Sequence, residues 1–144
     1  MFGKIFGKKA AAARQELKKI ENRDLMEAIV GGCLLVAAAD GSIDQSELDK
    51  LDKLLRSNAN LSHFGPEITQ SITRFKEQLE AGFRVGKNKI LEEIQDIKND
   101  QKEAVEVFVN MITLAEADGD IAPEEKKVIE EVGRVLGLRY DDYV

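Results

Sequence analysis

The sequence predicts an all-α protein, a single-domain bundle of about seven helices with an internal pseudo-two-fold repeat. Apolar residues recur at helical rather than strand spacing along nearly the whole chain. The two prolines, Pro66 and Pro123, stand where helices begin, at the first-turn position that tolerates a missing N–H. One stretch also occurs twice. Ala39-Asp40-Gly41-Ser42-Ile43-Asp44-Gln45-Ser46-Glu47 returns as Ala117-Asp118-Gly119-Asp120-Ile121-Ala122-Pro123-Glu124-Glu125. Both copies fit Ala-Asp-Gly-x-Ile-x-x-x-Glu at an offset of 78 residues. The register extends outward, pairing Ile29, Val30, Cys33, Leu34 and Val36 with Val107, Phe108, Met111, Ile112 and Leu114. Leu51 and Leu54 likewise pair with Ile129 and Val132. Two copies are too few for a solenoid, which needs roughly three or more, and suit one globule.

Met1 to Lys9 is basic and broken by glycines, with Phe2, Ile5 and Phe6 among lysines, and reads as a flexible arm. Its composition fits weak contact with an anionic membrane surface, aromatics inserted and lysines facing headgroups. A first helix is expected over about Ala10 to Ile20. The next, from about Arg23 to Ala39, is apolar nearly all round and is expected at the centre of the core. Asp44 and Glu47 form a capping box for a third helix, which turns Leu48, Leu51, Leu54 and Leu55 inward. After Gly65-Pro66, the stripe Ile68, Ile72, Phe75 and Leu79 marks a fourth helix, closed by Gly82. Ile90, Leu91, Ile94 and Ile97 mark a fifth. Asp100 and Glu103 cap a sixth, the repeat partner of the second, and the last runs from Pro123 to Gly137. Tyr140 or Tyr143 is expected to pack a final turn.

Hydrophobic and charged contents of 43% and 33% describe a globular chain. Residues 1–23 carry a balance of +5, which leaves −11 for the rest of a chain whose net charge is −6. An acidic body argues against nucleic acid as a partner. The longest uncharged run, Ala28 to Ala39, is shorter than the ~20 residues that span a bilayer. Lysines interrupt the opening apolar residues, which does not fit a secretory signal, and the single cysteine fits a reducing cytoplasm. Cys33 reads as a core thiol. The one histidine, His63, has no nucleophile near it in sequence, and Gly86-Lys87-Asn88-Lys89 lacks the spacing of a phosphate loop. No enzyme and no organic cofactor are expected.

The acidic turns are the remaining constellation. Asp-Gly-x-Ile-x-x-x-Glu reproduces positions 5 to 12 of an EF-hand loop, which makes Asp40, Glu47, Asp118 and Glu125 candidate ligands. Val36 and Leu114 stand at loop position 1 and offer no side-chain oxygen, so each turn is incomplete and would need help from water, backbone carbonyls or the opposite turn. All these donors are oxygens, so the expected ion is hard: calcium, magnesium or manganese. The competing explanation is structural. Gly41 and Gly119 reverse the chain, Ile43 and Ile121 plug the core, and the carboxylates cap helices.

These residues resemble the tellurite-resistance TerB family of small all-helical bacterial proteins. The resemblance runs over most of the chain: the Phe- and Lys-containing N-terminus, the apolar helix entering Ala-Asp-Gly, the Glu-Ala-Asp-Gly-Asp turn and the ending Glu-Val-Gly-Arg-Val-Leu-Gly-Leu. It implies a seven-helix domain over residues 10–144 behind the arm of residues 1–9. It also implies acidic, metal-binding clusters: Asp40 and Glu47, Asp118 and Glu125, with Asp44, Asp120 and Glu124 as accessories. Gln45 and Ser46 depart from the family, where acidic residues are common. The resemblance further implies a non-enzymatic stress-response role in the cytoplasm, peripheral to the inner face of the plasma membrane. Its partners would be other tellurite-resistance or stress-complex proteins, some membrane-bound. The alternative is an adaptor for proteins or membrane surfaces whose acidic turns are only structural.

Overall fold

The computed structural model describes residues 23–117 and 119–144. The arm, the helix expected over Ala10 to Ile20 and Asp118 lie outside the described residues. Six α-helices are seen among those described: α1 (23–37), α2 (Gln45–Ser57), α3 (Pro66–Ala81), α4 (Phe83–Gln95), α5 (Gln101–Glu116) and α6 (Pro123–Leu136). Single 3-10 turns follow α2 at Ser62–Phe64 and α6 at Tyr140–Asp142. The described residues contain no strand, as the helical periodicity predicts.

Helix α1 is the centre of the core. From Leu25 to Ala38 nearly every side chain is buried, with Glu27 and Ala37 the partly exposed exceptions. Two glycines inside a helix cost about 1 kcal/mol each relative to alanine, and close packing explains them. A Cβ at Gly31 would lie 2.7 Å from Ile90 Cγ2 of α4, and one at Gly32 would lie 2.8 Å from Met111 Sδ of α5. The glycines thus let α4 and α5 each approach the α1 backbone closely. Helix α3 packs on α2 and α4, while α6 packs on α4 and α5.

Helix α5, the repeat partner of α1, is amphipathic rather than wholly buried. Ala104, Val107, Phe108, Met111, Ile112 and Ala115 face the core, whereas Val109 is exposed. Phe108 meets the edge of Tyr143, with centroids 5.3 Å apart, so the C-terminal turn is packed as its tyrosines predict.

The aspartate N-caps follow the sequence signals, although Asp44 takes the Ser46 N–H rather than that of Glu47, its expected capping-box partner. Asp44 Oδ1 accepts from the Ser46 N–H at 3.2 Å, and Asp100 Oδ1 accepts from the Glu103 N–H at 3.2 Å. Helix α1 stops two residues before the expected Ala39. There the Ala39 N–H donates to Val36 O at 3.1 Å and the Gly41 N–H to Ala38 O at 2.9 Å. The shorter i→i−3 bonds tighten the exit and satisfy carbonyls that a helix end leaves open.

Glu27 meets α3 and α4 at one junction. Arg74 lies 3.4 Å from Glu27 Oε1. Burial, then the charge of Glu27 and a hydrogen bond to it, raises the Glu93 carboxyl above its usual range, against the pull of Arg74. A raised folded pKa gives stability that is present at low pH and lost as pH rises through that value. Glu93→Gln keeps a donor for Glu27 and removes the like charge. It should raise the thermal midpoint at neutral pH by about 1–2 °C, the gain vanishing near pH 4, because Glu93 is largely solvent-screened. Circular-dichroism melts across that range check this.

Candidate functional site

Both turns are built from the same parts. Gly41 and Gly119 have φ of 87° and 115°, a region side chains disfavour, and there the chain reverses. Ile43 and Ile121 follow, partly buried against the core. The first turn then uses its acids locally. Asp40 Oδ1 accepts from both the N–H and the hydroxyl of Ser42 at 3.0 Å each. Those bonds, the backbone one first, hold its carboxyl below the usual range. An Asx-turn of this kind answers the charge left at the end of α1. Asp44 is spent on the α2 cap. Both aspartates are exposed.

Glu47, three residues after Asp44, is turned inward, and its Oε2 exposes less than 1 Å². In the second turn the capping residue is Ala122, whose methyl accepts nothing. Glu125 supplies the other half of the box, its Oε1 accepting from the Ala122 N–H at 2.9 Å. Asp120 and Glu124 are exposed.

The two turns face one cavity of ≈ 40 Å³, lined by Val36, Ala37, Glu47, Lys50, Leu114, Ala117 and Glu125. Val36 and Leu114 are repeat equivalents, and so are Glu47 and Glu125. The structure therefore brings together the two glutamates, while Asp40, Asp44, Asp120 and Glu124 are not among the lining residues. Asp118 lies outside the described residues.

The lining is mixed: Glu47 and Glu125 offer oxygen donors of the kind a hard cation takes, while Val36, Ala37, Leu114 and Ala117 are apolar and Lys50 carries a positive charge. Two carboxylates offer up to four oxygens, and the cavity has room for about two waters or one partly hydrated ion. Among the described residues, no group of three or more His, Cys, Asp or Glu is gathered as a metal cluster. Glu47 and Glu125 are thus a pair, to which water and backbone carbonyls would have to add ligands. Glu47 and Glu125 are the residues that would hold a divalent cation there, and its charge would offset theirs.

Sequence reasoning missed Lys50. The signal for Lys50 was present, since a residue three after Glu47 shares its helix face. Elsewhere the chemistry is quiet. Burial pushes the Cys33 thiol up to about 12, which leaves almost no thiolate at neutral pH. His63 is exposed, its ring 4.2 Å from that of Phe64. Among the described residues no helix is long and apolar enough to cross a membrane.

Comparison with curated proteins and with solved structures gives no match. The family model described as tellurite resistance protein TerB matches residues 26–144, which takes in all six helices from the fourth residue of α1 onward, both acidic turns and the tyrosine-bearing tail. On that match the chain belongs to the tellurite-resistance TerB family.

Proposed function

We propose that the chain is a non-enzymatic stress-response module of the tellurite-resistance type, which takes a hard divalent cation in the seam between its acidic turns. The observation that carries this reading is that Glu47 and Glu125, one from each repeat, line one cavity. The inert Cys33 thiol and the absence of a second group beside His63 in sequence favour a binding role over redox or hydrolytic chemistry. Oxygen donors favour calcium, magnesium or manganese over zinc or copper. With few protein ligands, affinity belongs near the micromolar-to-millimolar end of calcium sites.

Melting the protein in chelator and then in millimolar calcium tests the reading. An ion at about 100 times its dissociation constant stabilises the fold by about 2.7 kcal/mol, which shifts the midpoint by several degrees. An unmoved midpoint with each of the three ions leaves the adaptor reading. Asp40 bonded to Ser42 and Asp44 used as a cap favour that alternative.

The basic arm is the proposed contact with the inner membrane surface and with membrane-bound partners of the same stress response. Full-length protein should bind anionic vesicles weakly, and binding should fall steeply with salt. Removing residues 1–9 should abolish it. Undiminished vesicle binding by the shortened chain would count against the arm.

A further inference from the structure

Helix α4 carries its charges against its own dipole. Arg84, Lys87 and Lys89 occupy its first two turns, while Glu92, Glu93 and Asp96 stand at its end. Carboxylates are favoured at a helix start and cations at its end, so this order weakens the helix. Helices α2, α3, α5 and α6 each keep a glutamate in the first turn, whereas α4 has no acid there. Lys87 is answered by Glu131 of α6 at 2.8 Å. Arg84 and Lys89 are exposed and join no ion pair among the described residues. Beside them Phe83 is 44% and Val85 61% exposed, two of the four large hydrophobic side chains left exposed among the described residues. The buried side of α4 is Gly86, Ile90 and Ile94, and a Cβ at Gly86 would lie 2.6 Å from Gln78 O. Seated so closely on α3, the first turn of α4 forms a fixed corner, cationic and apolar, at the surface of an acidic body.

Resting on the reading of the basic arm as a membrane contact, we infer that this corner between α3 and α4 is a second contact with the same anionic lipid surface. The corner repeats the chemistry of the arm. Residues 2–9 and 82–89 each hold three cations, two glycines and no acid, with aromatic and aliphatic side chains between them. Charges farther than about 8 Å are largely screened at physiological salt, so lipid meets this local charge rather than the net −6 of the chain. Phe83 and Val85 enter the headgroup layer, and Arg84 and Lys89 meet the lipid phosphates. Neither contact suffices alone. A single weak anchor binds reversibly, and linking two raises the effective concentration of the second. The arm brings the body to the surface, and the corner sets which face it turns to the lipid.

Vesicles of phosphatidylserine in phosphatidylcholine test this on the full chain. The triple variant Arg84→Gln, Val85→Gln, Lys89→Gln changes exposed side chains only. Its melting midpoint should match wild type, while its vesicle affinity should fall about tenfold or more. The chain has no tryptophan, so Phe83→Trp supplies a single reporter. Its emission should shift to the blue on adding the anionic vesicles, stay unchanged with phosphatidylcholine alone, and be quenched by bromine on the lipid chains. Vesicle binding by wild type, with a triple variant that binds as tightly or an indole that neither shifts nor is quenched, overturns the corner and leaves the arm reading intact. If wild type binds no anionic vesicle, both fail. A blue shift that grows with protein concentration in the absence of lipid gives the corner to a second copy of the chain and overturns the lipid contact.

Discussion

Glu47→Gln and Glu125→Gln should each weaken divalent-cation binding by about tenfold or more, and the double variant should lose little beyond either one. Each change removes a full negative charge from the cavity lining while keeping the side-chain shape. Tenfold corresponds to about 1.4 kcal/mol, a modest demand for one unit charge beside a divalent ion in a partly desolvated site. Glutamine at residue 125 still offers a carbonyl oxygen to the Ala122 N–H, so the α6 cap survives and the loss reports on binding. The strong non-additivity follows from sharing: once one carboxylate is gone the ion is no longer bridged, and the second has little left to contribute. Separate sites would give independent losses instead. Asp44→Asn and Asp120→Asn, exposed and away from the lining, should change affinity less than about twofold, since single exposed charges are well screened. Calorimetric titration of the set distinguishes these outcomes.

Phe108→Ala should destabilise the fold by about 3–5 kcal/mol, the range for emptying a fully buried aromatic site. Phe108 is 0% exposed, and its ring links three elements. It projects from α5, meets Tyr143 edge to face, and lies where a Cβ on Gly133 of α6 would come within 3.1 Å of Cε1. The α6 backbone is held close by the Gly133–Leu138 turn, where the Leu138 N–H donates to Gly133 O at 2.8 Å, so the site cannot collapse readily around the missing ring. The midpoint should fall by roughly 10 °C or more. Because the C-terminal turn loses its anchor, Tyr143 should become more exposed, and its fluorescence should shift before the global transition. Urea denaturation followed by far-ultraviolet circular dichroism measures the stability loss.

Most of the fold was legible because local signals and tertiary demands agree. Pro66 and Pro123 start α3 and α6, Asp44 and Asp100 cap α2 and α5, and Gly137 closes α6 with φ of 74°. The apolar run through Cys33 is buried, as a helix without a polar face must be. The geometry of the candidate site was legible in part. Spacing singled out Glu47 and Glu125, which line one cavity, but it treated all the acids of each turn alike. Which carboxylate points inward depends on what its neighbours hold. Ser42 captures Asp40 and the α2 cap uses Asp44, whereas Glu47, one turn into the helix, faces the core side. Lys50 was overlooked because its repeat equivalent is Val128, so comparing the two copies hid the position where they differ in charge.

The most direct test of the seam is manganese-induced line broadening in the amide spectrum of the ¹⁵N-labelled full chain at substoichiometric ion. A shared site predicts that amides on both sides, Ala37 and Glu47 from one repeat with Ala117 and Glu125 from the other, lose intensity together and in the same proportion. The turn at Ser62–Phe64 follows the far end of α2 from Glu47, and its signals should lose least. Excess calcium should reverse the effect. Broadening confined to one turn, or none that is site-specific up to millimolar manganese, would contradict a cation held between the repeats.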